Sequence, residues 1–129
     1  MAMESPLGRV RGLGSARSGA RHWWIERLTS VATLLLLVWL TVALLRLPGF
    51  GQAVVTEWLA MPVNAALMLL LVISSFWHAK LGLQVFIEDY THEEGNKLFL
   101  IVLINFAAVA GASIGIFAIL KIAFAGAAG

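Results

Sequence analysis

The chain has 129 residues, of which 60% are hydrophobic, 12% are Asp, Glu, Lys or Arg, and the formal net charge is +2. A soluble domain carries roughly 25% charged residues, so this composition excludes an ordinary free-standing globular enzyme. There is no cysteine, which removes disulfides, iron-sulfur ligation and thiolate catalysis but leaves His, carboxylate and Tyr chemistry open.

Residues 1–24 read as a leader rich in Gly and Ser, including Gly8, Gly12, Gly14 and Gly19, too poor in apolar area to fold alone. Residues 1–21 are expected to be disordered or laid against a partner. Arg9, Arg11, Arg17, Arg21 and Arg27 all precede the first apolar run. Diluted by Gly and Ser and followed by a membrane anchor, they suit lipid headgroups or a partner protein and not nucleic acid. By the positive-inside rule they place the N-terminus in the cytoplasm. The apolar run that follows has no small-residue cleavage site on a polar flank, so it reads as a retained membrane helix.

Three apolar segments are long enough to cross a bilayer, giving an all-α integral membrane protein with helices over about 26–47, 62–86 and 97–124 in one anchor domain, 1–129. Three crossings then put the 48–60 loop outside, the 84–97 connection inside and the C-terminus outside. His22, Trp23, Trp24 and Ile25 form an aromatic belt before the first helix. That helix has an apolar interior up to Arg46, which can snorkel, and Pro48 and Gly49 end it. Pro62 suits the first turn of the second helix.

The second helix is more polar, with Asn64, Ser74, Ser75, His78, Lys80 and Gly82. Polar groups in a membrane helix are costly unless they face a partner, a cofactor or a cavity. Ser74, His78 and Gly82 recur every fourth residue, so they share one face with small residues a turn either side of the imidazole. Two readings of His78 stand: an axial ligand to haem iron, or a histidine hydrogen-bonded across a helix interface. As a ligand it needs an opposite partner from His22, His92 or another chain, and both local candidates lie close to the membrane interface. Lys80 is expected to reach cytoplasmic headgroups.

Asp89 and Tyr90 lie about 16–18 Å beyond His78 if the helix continues. A boundary phenol can donate to a quinone carbonyl, with Arg27 or Asp89 ordering it or supporting proton uptake; the alternative is an interfacial anchor beside a solvated carboxylate. Glu93 and Glu94 read as a solvated face. In the third helix, Gly111 and Gly115 form a small-xxx-small pair suited to close packing, near Asn105 and Ser113. There is no phosphate-cradling Gly loop, no HExxH and no Ser/His/Asp set.

The run His78-Ala79-Lys80-Leu81-Gly82-Leu83-Gln84-Val85-Phe86-Ile87-Glu88-Asp89-Tyr90 closely resembles the signature block of the SdhD-type hydrophobic membrane anchor subunit of bacterial succinate dehydrogenase, respiratory complex II. Ser18 to Trp24 and Arg27-Leu28-Thr29 resemble that family's approach to its first helix. The resemblance implies that His78 is one axial ligand of a haem b whose other ligand comes from an SdhC-type cytochrome b subunit. It implies that Tyr90 hydrogen-bonds ubiquinone near the cytoplasmic boundary with Asp89 beside it, and that Arg27 lies near the haem propionates and the quinone pocket. FAD and iron-sulfur clusters would reside in a flavoprotein subunit and an iron-sulfur subunit. The chain would then be a multi-pass protein of the bacterial inner membrane, surrounded by membrane lipids and not catalytic alone. His22 is followed by Trp23 where the family often has an acidic residue, and it is assigned no role. The competing classes are an anchor of another cytochrome b complex, which would need more membrane histidines, and a non-redox structural or transport protein in which Asn64, Ser74, Ser75 and Asn105 glue helices together.

Overall fold

A computed structural model describes residues 6–10, Gly12 and 17–127, arranged as five helices: α1 (Pro6–Val10), α2 (Arg17–Leu45), α3 (Gln52–Ala60), α4 (Pro62–Tyr90) and α5 (Glu94–Ala127). Arg11 and Gly14 of the leader lie outside the described residues. Three of the helices are long and apolar enough to cross a membrane: Gly19–Leu45, Pro62–Tyr90 and Glu94–Ala125. At 1.5 Å per residue, α2 and α4 are each about 44 Å long and α5 about 51 Å. All exceed a hydrocarbon core of about 30 Å, so their ends extend into the headgroup layers.

The boundaries differ from the sequence expectation in four places: the leader holds α1, the stretch read as the 84–97 connection is helical apart from 91–93, and the start of α2 and the 48–60 stretch differ as follows. Helix α2 begins at Arg17, so the last third of the leader is helical and not irregular. Neither proline nor a capping turn interrupts 17–28, and Ala20, Arg21, Glu26 and Arg27 suit a helix, so the backbone ladder simply continues out of the apolar run. The stretch read as the 48–60 loop contains α3, nine residues long, which begins after an extended Gly51 (φ −64°, ψ 149°).

The turns follow from local chemistry. Helix α2 tightens at its end through two three-residue bonds, Arg46 N to Ala43 O and Leu47 N to Leu44 O, both 3.2 Å, before Pro48. Met61 alone separates α3 from α4 and is extended (φ −66°, ψ 127°), as the residue before a proline prefers. Pro62 then takes the first helical position, where a missing N–H costs nothing. Asn64 Nδ2 donates to Trp58 O at 2.9 Å, satisfying a carbonyl in the last turn of α3. Thr91, extended, closes α4 by donating its N–H to Ile87 O at 2.9 Å.

Helix α4 is the centre of the bundle, packed on α2 along one side and on α5 along another, while α2 and α5 make no close backbone approach. The α4–α5 contact depends on Gly111 and Gly115. A Cβ at Gly111 would collide with Phe76 Cε1 and stand 2.8 Å from Cζ, and one at Gly115 would stand 3.1 Å from Val72 Cγ1. The small pair therefore admits two bulky α4 side chains. Helix α3 packs on α5 and α4 through a small cluster of Leu59, Ala65 and Ile119, flanked by Trp58, Met68 and Val72. Trp58 also stacks on Trp39 of α2, with ring centroids 5.8 Å apart.

Six described hydrophobic side chains are buried: Leu59, Ala65, Leu71, Leu81, Ile87 and Ile119, none of them on α2. Large apolar residues such as Leu34, Leu35, Phe106, Val109 and Phe117 face outward. In water this would be an untenable surface; in a bilayer it is the expected one, because lipid tails are as apolar as leucine.

Candidate functional site

Polar side chains of the second membrane helix meet those of the first along one antiparallel seam. Thr33 Oγ1 lies 2.5 Å from Ser74 Oγ, and one turn away Thr29 Oγ1 lies 3.4 Å from His78 Nδ1. All four residues are half-buried. Each pair member is four residues from its neighbour on the same helix, so the spacing of one α-helical turn brings both pairs to the same face. The seam pairs its own polar groups, which a membrane interior otherwise penalises.

His78 therefore uses one ring nitrogen inside the chain. Among the described residues no hydrogen bond engages Nε2, and that atom is not sealed inside the protein. Gly82, a turn further along α4, has nothing within 4 Å of where a Cβ would stand, so the surface beside the imidazole is open toward the Tyr90 end. A half-buried imidazole with one nitrogen held and the other presented outward is the donor arrangement an axial haem ligand requires. No group of three or more His, Cys, Asp or Glu among the described residues could hold a bare metal ion.

Neither of the other two histidines stands opposite His78. The α2–α4 register puts His22 level with Val85, about 10 Å along the axis from His78. It is half-buried, with Nε2 enclosed and without a partner. His92 is exposed in the connection after α4.

Tyr90 closes α4 and is 71% exposed, its ring stacked on Phe86 with centroids 4.5 Å apart. Asp89 beside it is exposed, as are Glu93 and Glu94. Arg27 lies on the surface with its guanidinium over the Trp23 ring, 5.5 Å from the centroid. The same register sets the Arg27 backbone level with Lys80, about 15 Å along the axis from Tyr90, while its guanidinium, over Trp23, is turned toward the Tyr90 end. Lys80 is half-buried with Nζ over the Trp77 ring, 5.3 Å from its centroid.

Other polar residues turn inward on their own helices. Asn105 Nδ2 donates to Ile101 O and Ser113 Oγ to Val109 O, each at 2.7 Å, so in α5 they join no second helix. Of the four residues read as helix glue, Asn64 and Ser74 bond across elements and Asn105 does not.

Comparison with known proteins decides among the classes left open by the sequence. Residues 1–112 match the family described as succinate dehydrogenase/fumarate reductase transmembrane subunit. The chain belongs to this family. Similar proteins include the succinate dehydrogenase hydrophobic membrane anchor subunit of Rickettsia conorii, 36% identical over 102 residues, covering 77% of this chain and 81% of that one. The subunit of the same description from Rickettsia bellii is 37% identical over 82 residues, covering 64% of this chain and 66% of that one. The succinate dehydrogenase membrane anchor subunit of Reclinomonas americana is 29% identical over 97 residues, covering 72% and 80%. With three apolar spans and these bacterial relatives, this anchor-family member is a multi-pass protein of the bacterial inner membrane.

Proposed function

We propose that the chain is the membrane anchor subunit of a succinate:ubiquinone oxidoreductase, sharing a haem b with a companion cytochrome b subunit and helping to form the ubiquinone-reduction site. The observation that carries this reading is His78, whose Nδ1 is engaged within the chain while Nε2 has no partner among the described residues. His78 would hold the haem through one imidazole nitrogen, and with His22 and His92 displaced a second ligand would come from the companion subunit. When bound, the haem supplies a one-electron centre in the low-dielectric interior. This chain holds the imidazole, shields it from water with α2 and α4, and leaves room at Gly82.

At the far end of α4, Tyr90 donates its hydroxyl hydrogen to a ubiquinone carbonyl, its ring braced by Phe86. Asp89 sits beside it as the carboxylate through which a proton reaches the site. Arg27, near the height of His78, offers its guanidinium to carboxylates at the haem edge. The N-terminus lies in the cytoplasm, as the five early arginines favour, which puts the Tyr90 end of α4 on the side of the flavoprotein and iron-sulfur subunits. Those subunits oxidise succinate and deliver electrons, and the anchor contributes position and insulation.

The test is mild-detergent purification of the tagged chain with its partners, followed by a reduced-minus-oxidised visible spectrum. A b-type band with co-purifying flavin is expected, and His78→Ala should lower haem per flavin or displace the band. Unchanged haem content and spectrum in that variant would remove the ligand assignment. Tyr90→Phe should depress quinone reduction while succinate oxidation with an artificial acceptor stays near wild type; equal loss of both would point to damaged assembly.

A further inference from the structure

Thr29 stands in front of the imidazole that the proposed function makes a haem ligand, and its hydrogen bonds determine how that imidazole is protonated. A threonine hydroxyl has one hydrogen and two lone pairs. Thr29 Oγ1 lies 2.9 Å from Ile25 O and 3.0 Å from Glu26 O, and both of these are carbonyls that can only accept. The hydroxyl hydrogen is therefore committed to the backbone of α2. What Oγ1 presents to His78 Nδ1, 3.4 Å away, is a lone pair. Nδ1 must carry the ring hydrogen for this contact to be attractive, and the other nitrogen, Nε2, then carries the lone pair. The contact is held in register by the second rung of the seam, Thr33 with Ser74 at 2.5 Å.

We infer that Thr29 is a positioning residue: it selects the Nδ1–H tautomer of His78 and fixes the ring plane, so that Nε2 is presented as the ligating nitrogen. The inference rests on the proposed haem role of His78. Its physical effect is twofold. Donation from Nδ1 to an oxygen makes the imidazole a more basic ligand, which favours the ferric state. The contact also resists rotation about the His78 side-chain torsions, so the plane of the ring relative to α4 is set by α2. The sequence offers a reason to overlook Thr29: a threonine inside a membrane helix commonly bonds its own i−4 carbonyl and nothing else. Here that bond is what frees the oxygen to accept.

The experiment compares Thr29→Val and Thr29→Ala with wild type and Thr29→Ser in the assembled complex, by redox titration of the b-type band and by the low-spin ferric haem resonance in electron paramagnetic resonance. Val keeps the shape of Thr without the hydroxyl, and Ser keeps the hydroxyl without the methyl. We expect Val to raise the haem midpoint potential and to displace the low-spin resonance, with Ser holding both at wild-type values. If the Val variant fails to assemble, Ser and Ala differ by the hydroxyl alone: Ser matching wild type while Ala departs supports the inference. Val identical to wild type in both measurements, or Ser and Ala identical to each other, overturns it. His78→Ala separates the levels. A lowered or displaced band in that variant with Thr29→Val unchanged rejects the role of Thr29 only, whereas a wild-type complex without a b-type band, or a band unchanged in amount and position in His78→Ala, rejects the haem reading and this inference together.

Discussion

Gly111→Ala inserts one methyl group between α4 and α5, at the place where the backbone of α5 lies against the Phe76 ring. The new Cβ would overlap Phe76 Cε1 and stand 2.8 Å from Cζ, so either the ring or the helix must move. Overpacking of this kind costs about 1–3 kcal/mol. Against it, alanine is a better helix former than glycine by up to about 1 kcal/mol. The net expectation is a loss of about 1 kcal/mol, roughly a fivefold fall in the folding constant. Gly82→Ala is the control: nothing lies within 4 Å of its Cβ, so in the chain alone only the helix gain remains and stability should hold or rise slightly. The assay is SDS-titrated unfolding of the chain in mixed micelles, followed by indole fluorescence. Pairing Gly111→Ala with Phe76→Ala isolates the collision, because the second substitution removes the atoms the methyl would strike. In that background Gly111→Ala should turn neutral or favourable, a coupling of about 2 kcal/mol between the two sites. Additive penalties would show that Phe76 is not what Gly111 makes room for, and would refute the α4–α5 packing argued above.

Asn64→Ala removes the donor to Trp58 O and should cost about 1 kcal/mol in the same titration, while Asn64→Asp, which turns an acceptor toward that carbonyl, should cost more. Trp58→Ala deletes both the stack on Trp39 and a flank of the Leu59 cluster, with an expected loss of about 2 kcal/mol for a half-buried indole and a changed near-ultraviolet circular dichroism. An unaltered dichroism would mean that the two indoles do not stack.

The three spans were legible because length and apolarity alone determine them, and His78 stood out because a lone imidazole beside small residues is costly without a purpose. The packing role of Gly111 and Gly115 was likewise readable from their spacing, although the residues they admit, Phe76 and Val72, were not. Helix α3 was passed over as a loop because a nine-residue segment is too short to be helical by propensity, and Gly51 supplies no side-chain cap. It forms because Val55, Trp58 and Leu59 lie on one side and Leu59 finds Ile119 and Ala65. Thr29 entered the sequence reading only within the run Arg27-Leu28-Thr29 and Thr33 not at all, since their significance lies in a register between helices separated by the whole of α3. That register also sets the Arg27 and Tyr90 backbones about 15 Å apart along the axis, a spacing that the order of residues does not reveal.

Helix α2 has no buried side chain among the described residues; it packs along α4, with the Thr29–His78 and Thr33–Ser74 rungs as its polar contacts there, and meets α3 through the two indoles. Membrane hydrogen bonds contribute on the order of 0.6 kcal/mol each, comparable to thermal energy, so the two rungs act as an index that selects where α2 seats along α4 and not as a clamp that holds it there.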